Sequence, residues 1–259
     1  MTDLKKSVGE NREFRNKMKI IDAYWEKRNL GVTCKEIIIE REDSVQDLEI
    51  FLDSLKNVEY SVIKIYPGNV ELLKYLQSNG FYFVETLSEI SLDIENYSIP
   101  TNFEKLNESI KYKVLPSSQL NTLRLEIEKG IFNTDRIALD SRFGIDIAAR
   151  RYFNWIQDEV SKGNCVYEIL KDEKPIGFFA LKQIRNRSYE TFLAGMYLDS
   201  PNFGFGFSLI SKSIEEIRIK NGKYFVTHIS SNNLQINRLY AQFGFIPVNT
   251  YYVMVKHFN

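Results

Sequence analysis

The chain is poor in several things, and each shortage narrows what it can be. It has no excess of charge: Lys+Arg and Asp+Glu both number 34, for a formal net charge of zero. Nothing global therefore recruits a nucleic acid or an acidic membrane surface. Histidine is scarce, with His228 and His257 alone, and neither sits in a His/Cys cluster with metal-ligand spacing, so no metal site is expected. The two cysteines, Cys34 and Cys165, lie one in each half and read as free buried thiols, not as a disulfide framework. No apolar run approaches the roughly 18 residues that span a bilayer. The opening Met1–Lys6 is polar and lacks the apolar core of a secretion signal. A soluble cytoplasmic protein is the expectation. The absence of a Gly-x-Ser-x-Gly elbow argues against Ser-His-Asp hydrolysis.

What is present suffices for a large core: 259 residues, 44% hydrophobic and 14% aromatic, enough for one large domain or two small ones. Shifting the chain by 164 residues lays Ile63–Ile94 on Thr227–Phe258 without a gap, and six columns are identical: Ile65/Ile229, Asn69/Asn233, Gly80/Gly244, Phe81/Phe245, Val84/Val248 and Thr86/Thr250. Chance would give about two. Each copy reads strand, Asn at a helix start, helix, Gly-Phe, long strand. Asn suits an N-cap because its side chain accepts from first-turn N–H groups, and Gly suits the left-handed residue that ends a helix. The polar, Pro-containing segment 95–102 is the expected linker.

Periodicity predicts strands at 35–40, 61–66 and 82–94, with helices at 43–54 and 70–78 between them. After the linker come a strand at 111–115, a helix start at 116–120, a helix over 146–161, and a hairpin of 165–170 with 176–182. A strand at 189–198, a helix at 207–220 stopped by Asn221-Gly222, a strand at 224–229, the helix opened by Asn233 and a strand at 248–255 complete the chain. The order is mixed α/β around a partly antiparallel sheet flanked by helices.

Two pieces of the last third carry chemistry. Pro201-Asn202-Phe203-Gly204-Phe205-Gly206 lies between a strand and a helix. A helix N-terminus leaves about four N–H groups unpaired and carries partial positive charge, and glycines let a pyrophosphate come close to them. A lone Gly-x-Gly is by itself a turn; the flanking strand and amphipathic helix, and the Asn233–Tyr240 helix downstream, turn the reading toward an anion site. Asn233 and Tyr240 are two helical turns apart and share a face. Asn233 is also fully accounted for as a cap, whereas Leu76 stands in the first copy where Tyr240 stands in the second.

Together these pieces resemble the cofactor half of an acyl-CoA-dependent N-acetyltransferase of the GNAT superfamily. The superfamily loop reads Gln/Arg-x-x-Gly-x-Gly/Ala; Pro201 departs from its first position. Trp25-Glu26-Lys27-Arg28-Asn29-Leu30-Gly31, Ser141-Arg142-Phe143-Gly144-Ile145-Asp146 and Tyr152-Phe153-Asn154-Trp155-Ile156 further resemble segments of the dTDP-fucosamine acetyltransferase group, in which a degenerate N-terminal half precedes the catalytic domain. The resemblance implies a degenerate GNAT-like half-domain over 1–100 and a catalytic domain over 105–259. It implies acetyl-CoA as donor, held by the residues around Phe203, Gly204, Phe205, Gly206 and Phe207 and by Asn233 and Asn237. A splayed strand is implied at Met196, Tyr197 and Leu198, where a backbone N–H would polarise the thioester carbonyl, and Tyr240 is implied as the general acid.

The implied acceptor is a small primary amine, with an amino-sugar nucleotide first, contacted by Arg142. Amine attack needs a proton acceptor, and Asp199, Glu190 and His228 are the candidates. Beside these stand plainer readings: Arg142 paired with Asp140 or Asp146, His228 as a satisfied strand residue, Phe143 and Trp155 as core, and Arg150-Arg151 as a solvated helix face. Other acceptors (a peptide N-terminus, a polyamine, an aminoglycoside) and a non-catalytic acyl-CoA-binding or partner-binding module are the alternatives. A homodimer is compatible with the sequence.

Overall fold

Hydrophobic periodicity lays out most of the elements seen in the computed structural model, which describes residues 18–52, 55, 57–199 and 204–258. In chain order they are β1 (Lys19–Asp22), α1 (Trp25–Leu30), β2 (Cys34–Ile39), α2 (Val45–Leu52), β3 (Tyr60–Ile65), α3 (Val70–Ser78), β4 (Tyr82–Asp93), α4 (Thr101–Glu108) and β5 (Ile110–Val114). Then follow α5 (Leu120–Glu128), α6 (Gly144–Ser161), β6 (Cys165–Lys171), β7 (Lys174–Arg185), β8 (Ser188–Met196), α7 (Phe207–Ile219), β9 (Tyr224–Ser230), α8 (Leu234–Gln242) and β10 (Ile246–His257). The mixed α/β class is as expected.

Three elements escape the sequence reading. β1 and α1 have four and six residues, too few for a period to register. α4 starts at Thr101, inside the segment read as linker. Its anchor is tertiary: Phe103 stacks on Phe207 and Phe243 at ring-centroid distances of 5.1 and 5.3 Å.

The chain divides into two compact units. The first holds the described residues up to Tyr24, Val32–Phe83 and those from Tyr252 on; the second holds Trp25–Gly31 and Val84–Tyr251. In the first, the strands run β1-β2-β3-β10; β2 and β3 are parallel and the other neighbours antiparallel. Its core gathers Ile37, Ile39, Leu48, Ile63, Leu72 and Leu76. In the second, the order is β4-β9-β8-β7-β6-β5; β8 and β9 are parallel and the rest antiparallel. Its core packs α7 and α8 onto one face through Ile210, Ile214, Phe225, Tyr240 and Phe243.

The repeat is carried into the structure residue for residue. α3 and α8 have nine residues each and β4 and β10 twelve each, at the same offset of 164. Asn69 accepts from Leu72 N–H and Asn233 from Ile236 N–H, both at 3.1 Å. Gly80 and Gly244 sit at φ 80° and 76°, which glycine adopts without the Cβ penalty. Phe81 N–H closes on the Leu76 carbonyl at 3.0 Å and Phe245 N–H on the Tyr240 carbonyl at 3.1 Å, the bond that seals a helix C-terminus.

The last strands are exchanged. β4, from the first copy, pairs with β9 in the second unit, and β10, from the second copy, pairs with β3 in the first unit. The registers are equivalent: Ser88 opposite Ile229 in one, Tyr252 opposite Ile65 in the other. The division expected near residue 100 follows the chain, whereas the compact units follow this exchange.

Candidate active site

β8 and β9 begin as neighbours and then part. They pair at Ser188/Tyr224, Tyr189/Phe225 and Glu190/Val226, although β8 runs on to Met196 and β9 to Ser230. A cause lies on the other side of β8. Its register against β7 shifts between Leu193/Ala180 and Thr191/Leu181, leaving Phe192 as an extra residue. Such a bulge bends the strand and raises its twist.

Where the strands part, three hydroxyls meet. Thr227 Oγ1 donates to the Thr191 carbonyl at 2.9 Å, and Thr191 Oγ1 donates to Ser213 Oγ of α7 at 3.1 Å. The Tyr240 hydroxyl, brought in by α8, comes close enough to the Thr227 hydroxyl to be influenced by it. Burial pushes the Tyr240 phenol up to about 12, against the opposing pull of the Thr227 hydroxyl. The tyrosine is therefore held neutral, as a donor, at the apex of a wedge between two strands.

Beyond the apex the free edge of β8 is defined by alternation. Tyr197 N–H donates to the Ile176 carbonyl at 2.9 Å, so of Met196, Tyr197 and Leu198 the Tyr197 amide is already taken by β7. Met196 and Ala194, offset by one and three residues, turn their N–H groups away from β7 and toward the gap. The Tyr197 side chain is buried, whereas Leu198 is exposed.

Past the end of β8, Pro201 and Phe203 fall outside the described residues. Gly204 takes φ +86° with open space where a Cβ would be. Gly206 has helical φ and ψ of −54° and −27° and opens α7 with no side-chain cap. Ser208 and Leu209 N–H are satisfied by the Phe205 and Gly206 carbonyls, so the donors aimed out of this terminus come from the residues before them. The ring of Phe207 is core, 1% exposed; what it offers a ligand is backbone. Phe205 lies under Lys171 Nζ, 5.1 Å from the ring centroid. Asn233 is spent as a cap, and Asn237 donates through Nδ2 to the carbonyls of Ser230 and Asn233, both at 2.7 Å.

Neighbouring residues of β8 face opposite layers: Thr191 reaches α7, whereas Phe192 packs on Trp155 of α6 with centroids 5.2 Å apart. On the α6 face, Glu190 Oε1 lies 3.0 Å from His228 Nδ1 and Glu190 Oε2 3.1 Å from Lys182 Nζ. Burial pushes the Glu190 carboxyl up, but the His228 hydrogen bond and the Lys182 charge together hold it below its ordinary range.

Asp199 is elsewhere. It is exposed and paired with Lys129 at 2.5 Å, on the rim of a cleft of about 290 Å³ that Glu126, Glu168 and Tyr197 also line. Arg142 is exposed, and its backbone N–H donates to Asp140 Oδ1 at 2.9 Å. The structure thus brings Glu190 and His228 together on one face of the sheet where β8 and β9 part, has Thr227 and Tyr240 on the other face, and leaves Asp199 and Arg142 away from both.

One surface reading is corrected in part. Arg150 is exposed, with Nε donating to the Asn29 carbonyl at 2.8 Å, whereas Arg151 binds buried Glu26 of α1 at 2.8 Å with 17% of its side chain exposed. Other residues went unseen in the sequence. Thr191, Thr227 and Lys182 lie on strands whose pairing no local motif reveals. The Arg136–Glu85 pair, 3.6 Å apart with Glu85 2% exposed, joins positions 51 apart in sequence.

Residues 133–245 match the model of the acetyltransferase (GNAT) family. No curated protein matches the sequence. Among solved structures, a GCN5-related N-acetyltransferase from Sphaerobacter thermophilus is similar at 10% identity and TM-score 0.61, covering 93% of this chain and 76% of that one. A functionally unknown conserved protein from Staphylococcus epidermidis is similar at 12% identity and TM-score 0.58, covering 86% and 84%. The glucosamine N-acetyltransferase region of a fungal multi-domain GH3 β-N-acetylglucosaminidase is similar at 11% identity and TM-score 0.60, covering 92% of this chain and 31% of that one. At these identities the likeness concerns the fold, which is that of the GNAT proteins.

Proposed function

We propose that the chain is an acetyl-CoA-dependent N-acetyltransferase that moves an acetyl group to a primary amine of a small acceptor. The observation that carries this reading is the wedge: a ladder that ends at Glu190/Val226 with a neutral tyrosine at its apex and an uncapped helix start beyond one arm. A pantetheine chain fits between parted strands, its pyrophosphate on the N–H groups at Gly204–Phe207. The thioester carbonyl lies against the Ala194 or Met196 amide, which stabilises the oxyanion as the amine adds. A C–N bond forms, the C–S bond breaks, and the sulfur leaves with the negative charge.

Tyr240 faces that sulfur. Full transfer from a phenol at about 12 to a thiolate of reference pKa about 8.5 is uphill by about 5 kcal/mol. Its contribution is then a hydrogen bond that strengthens as charge develops on sulfur, with the proton following only as CoA departs. For the acceptor, the resemblance to the dTDP-fucosamine group and the glucosamine-acetylating relative both suggest an amino sugar, free or nucleotide-linked.

Isothermal titration with acetyl-CoA and with CoA is the primary test. Micromolar binding at one site per chain is expected; no binding by the folded protein would overturn the reading. A screen of amino-sugar nucleotides, glucosamine, a polyamine, an aminoglycoside and a peptide N-terminus then identifies the acceptor. Gly206→Ala probes the pyrophosphate contact cleanly, because a Cβ there meets Leu239 at an ordinary 3.8 Å: the fold should be kept and CoA affinity should fall. Gly204 is a poorer probe, since its positive φ strains any substitution.

A further inference from the structure

On the α6 face of the second unit, three adjacent strands carry three polar side chains in a row: Lys182 of β7, Glu190 of β8 and His228 of β9. Glu190 bridges the other two, at 3.1 and 3.0 Å, and is itself the last residue of β8 paired before the wedge opens. Lys182 is fixed from its other side, with Nζ 5.6 Å from the Trp155 ring centroid and 5.3 Å from that of Phe192. We infer that Nε2 of His228 takes the proton from the attacking amine, with Glu190 and Lys182 as positioning residues. This inference rests on the acetyl-transfer reading above.

Glu190 is the weaker base of the two. Both of its oxygens are engaged, and 11% of its side chain is exposed against 42% for His228. A carboxylate only accepts, so the shared hydrogen belongs to His228 Nδ1, and the neutral ring keeps its lone pair on Nε2. Among the described residues Nε2 has no hydrogen-bond partner. The groups facing the ring are Glu190, Lys182 behind it, and Glu89, its cross-strand neighbour on β4, which accepts from Asn249 Nδ2 at 2.7 Å. Glu190 accepts from Nδ1 and so fixes the ring with Nε2 free to take the amine proton. That proton then passes to water, and no redox partner is needed.

The repeat supplies an internal control. Glu36 is opposite Val62 in the first copy as Glu190 is opposite Val226 in the second, and Lys64 stands where His228 stands. Glu36 and Lys64 make the corresponding contact at 2.5 Å. The copy without the tyrosine keeps the carboxylate and pairs it with a lysine, a cationic partner that offers no imidazole lone pair. The carboxylate is common architecture; the histidine is the exchange that adds a base.

The test begins with nitrogen NMR of histidine-labelled protein, with His257→Gln to assign the two rings. The expected neutral tautomer of His228 carries hydrogen on Nδ1, and this preference should be lost in Glu190→Gln. Hydrogen on Nε2 in the unsubstituted chain would overturn the inference. The second arm uses His228→Lys, which recreates the first copy's pair and so should keep the fold. With the first amine found to be turned over, kcat should fall about 100-fold or more, with KM for acetyl-CoA within about twofold, and added imidazole should restore part of the rate of His228→Gly. An unchanged kcat in His228→Lys would overturn it. Failure of acetyl-CoA to bind the unsubstituted chain would instead sink the parent reading, and the tautomer result would stand apart from it.

Discussion

Between β2 and β3 the parallel ladder runs unbroken from Cys34/Tyr60 to Ile39/Ile65, with Ile37 opposite Ile63 in its middle. Between β8 and β9, at the point where Thr227 replaces Ile63, the ladder has already ended and two threonines bridge the strands through a hydroxyl. The same fold thus exists in a closed and an open form within one chain. Isoleucines facing one another on a flat ladder bury their branches and hold the strands together. In the open form a bulge bends β8 away, and the Thr227 hydroxyl satisfies the Thr191 carbonyl that parting exposes. An open wedge is thus more than a missing pairing. It goes with the bulge at Phe192, the hydroxyls at 191, 227 and 240, and a histidine on the outer face, and the first copy has isoleucine, leucine and lysine at the positions matching 227, 240 and 228.

Exchanging residues between the copies tests this comparison. The largest effect is expected for Tyr240→Leu, the first copy's residue: turnover should fall by about 10² to 10⁴, with acetyl-CoA affinity changed only a few-fold. The reverse change, Leu76→Tyr, puts a phenol where Leu76 is 0% exposed and should cost about 1–3 kcal/mol by overpacking. Calorimetry should still find one CoA per chain; a second site would show that the closed ladder is not what silences the first copy.

Next is Thr227→Ile, which removes the neighbour of the Tyr240 hydroxyl and the bridge to the Thr191 carbonyl. A loss of about 1–3 kcal/mol in unfolding free energy, with weaker CoA binding, is expected in denaturant titrations, and Thr227→Ser should recover most of it. Equal losses in Ile and Ser variants would mean that the methyl group, not the hydroxyl, matters.

pH distinguishes the copies too. Tyr240 has a folded value raised from 10.0 to about 12, so its contribution to stability is complete below about pH 10 and is lost as pH rises through about 12, at most about 3 kcal/mol. Alkaline unfolding of Tyr240→Phe should be less steep over that window; identical profiles would show the phenol to be unperturbed. The smallest effect is expected at the caps. Asn69→Ala and Asn233→Ala should each cost about 1 kcal/mol, equally, because their bonds are the same length. If Asn233→Ala alone also weakens CoA binding, the second cap serves the cofactor as well as the helix.

The repeat was legible because its signals are local: a cap, a helical period and a glycine at fixed spacing all survive in six identical columns. α3 is predicted at 70–78 and found there. The glycine loop and Tyr240 were legible for the same reason. Lys182, Thr191 and Thr227 were not, since their roles come from cross-strand neighbours 8 to 36 residues away, and a parallel ladder that stops partway leaves no trace in composition. Arg151 does not belong to the solvated face: a charge on a helix resembles one until a partner such as Glu26, 125 residues distant, is brought to it. α4 was hidden behind its polar sequence, and Phe103 together with the hydrogen bonds of Asn107 to α7 holds it in place.

The exchange of last strands bears on how such a chain can be shortened. A fragment beginning at residue 105 would lose β4 and with it the partner of β9 from Leu87 to Asp93. It would also keep β10 without the β3 edge on which Tyr252–His257 pair. β9 and β10 would each be left with an open row of backbone donors and acceptors, the kind of edge that recruits other chains. The first copy is therefore not removable ballast: it lends β4 to the second and takes β10 in return, so a cut at its boundary strips a partner strand from each of β9 and β10.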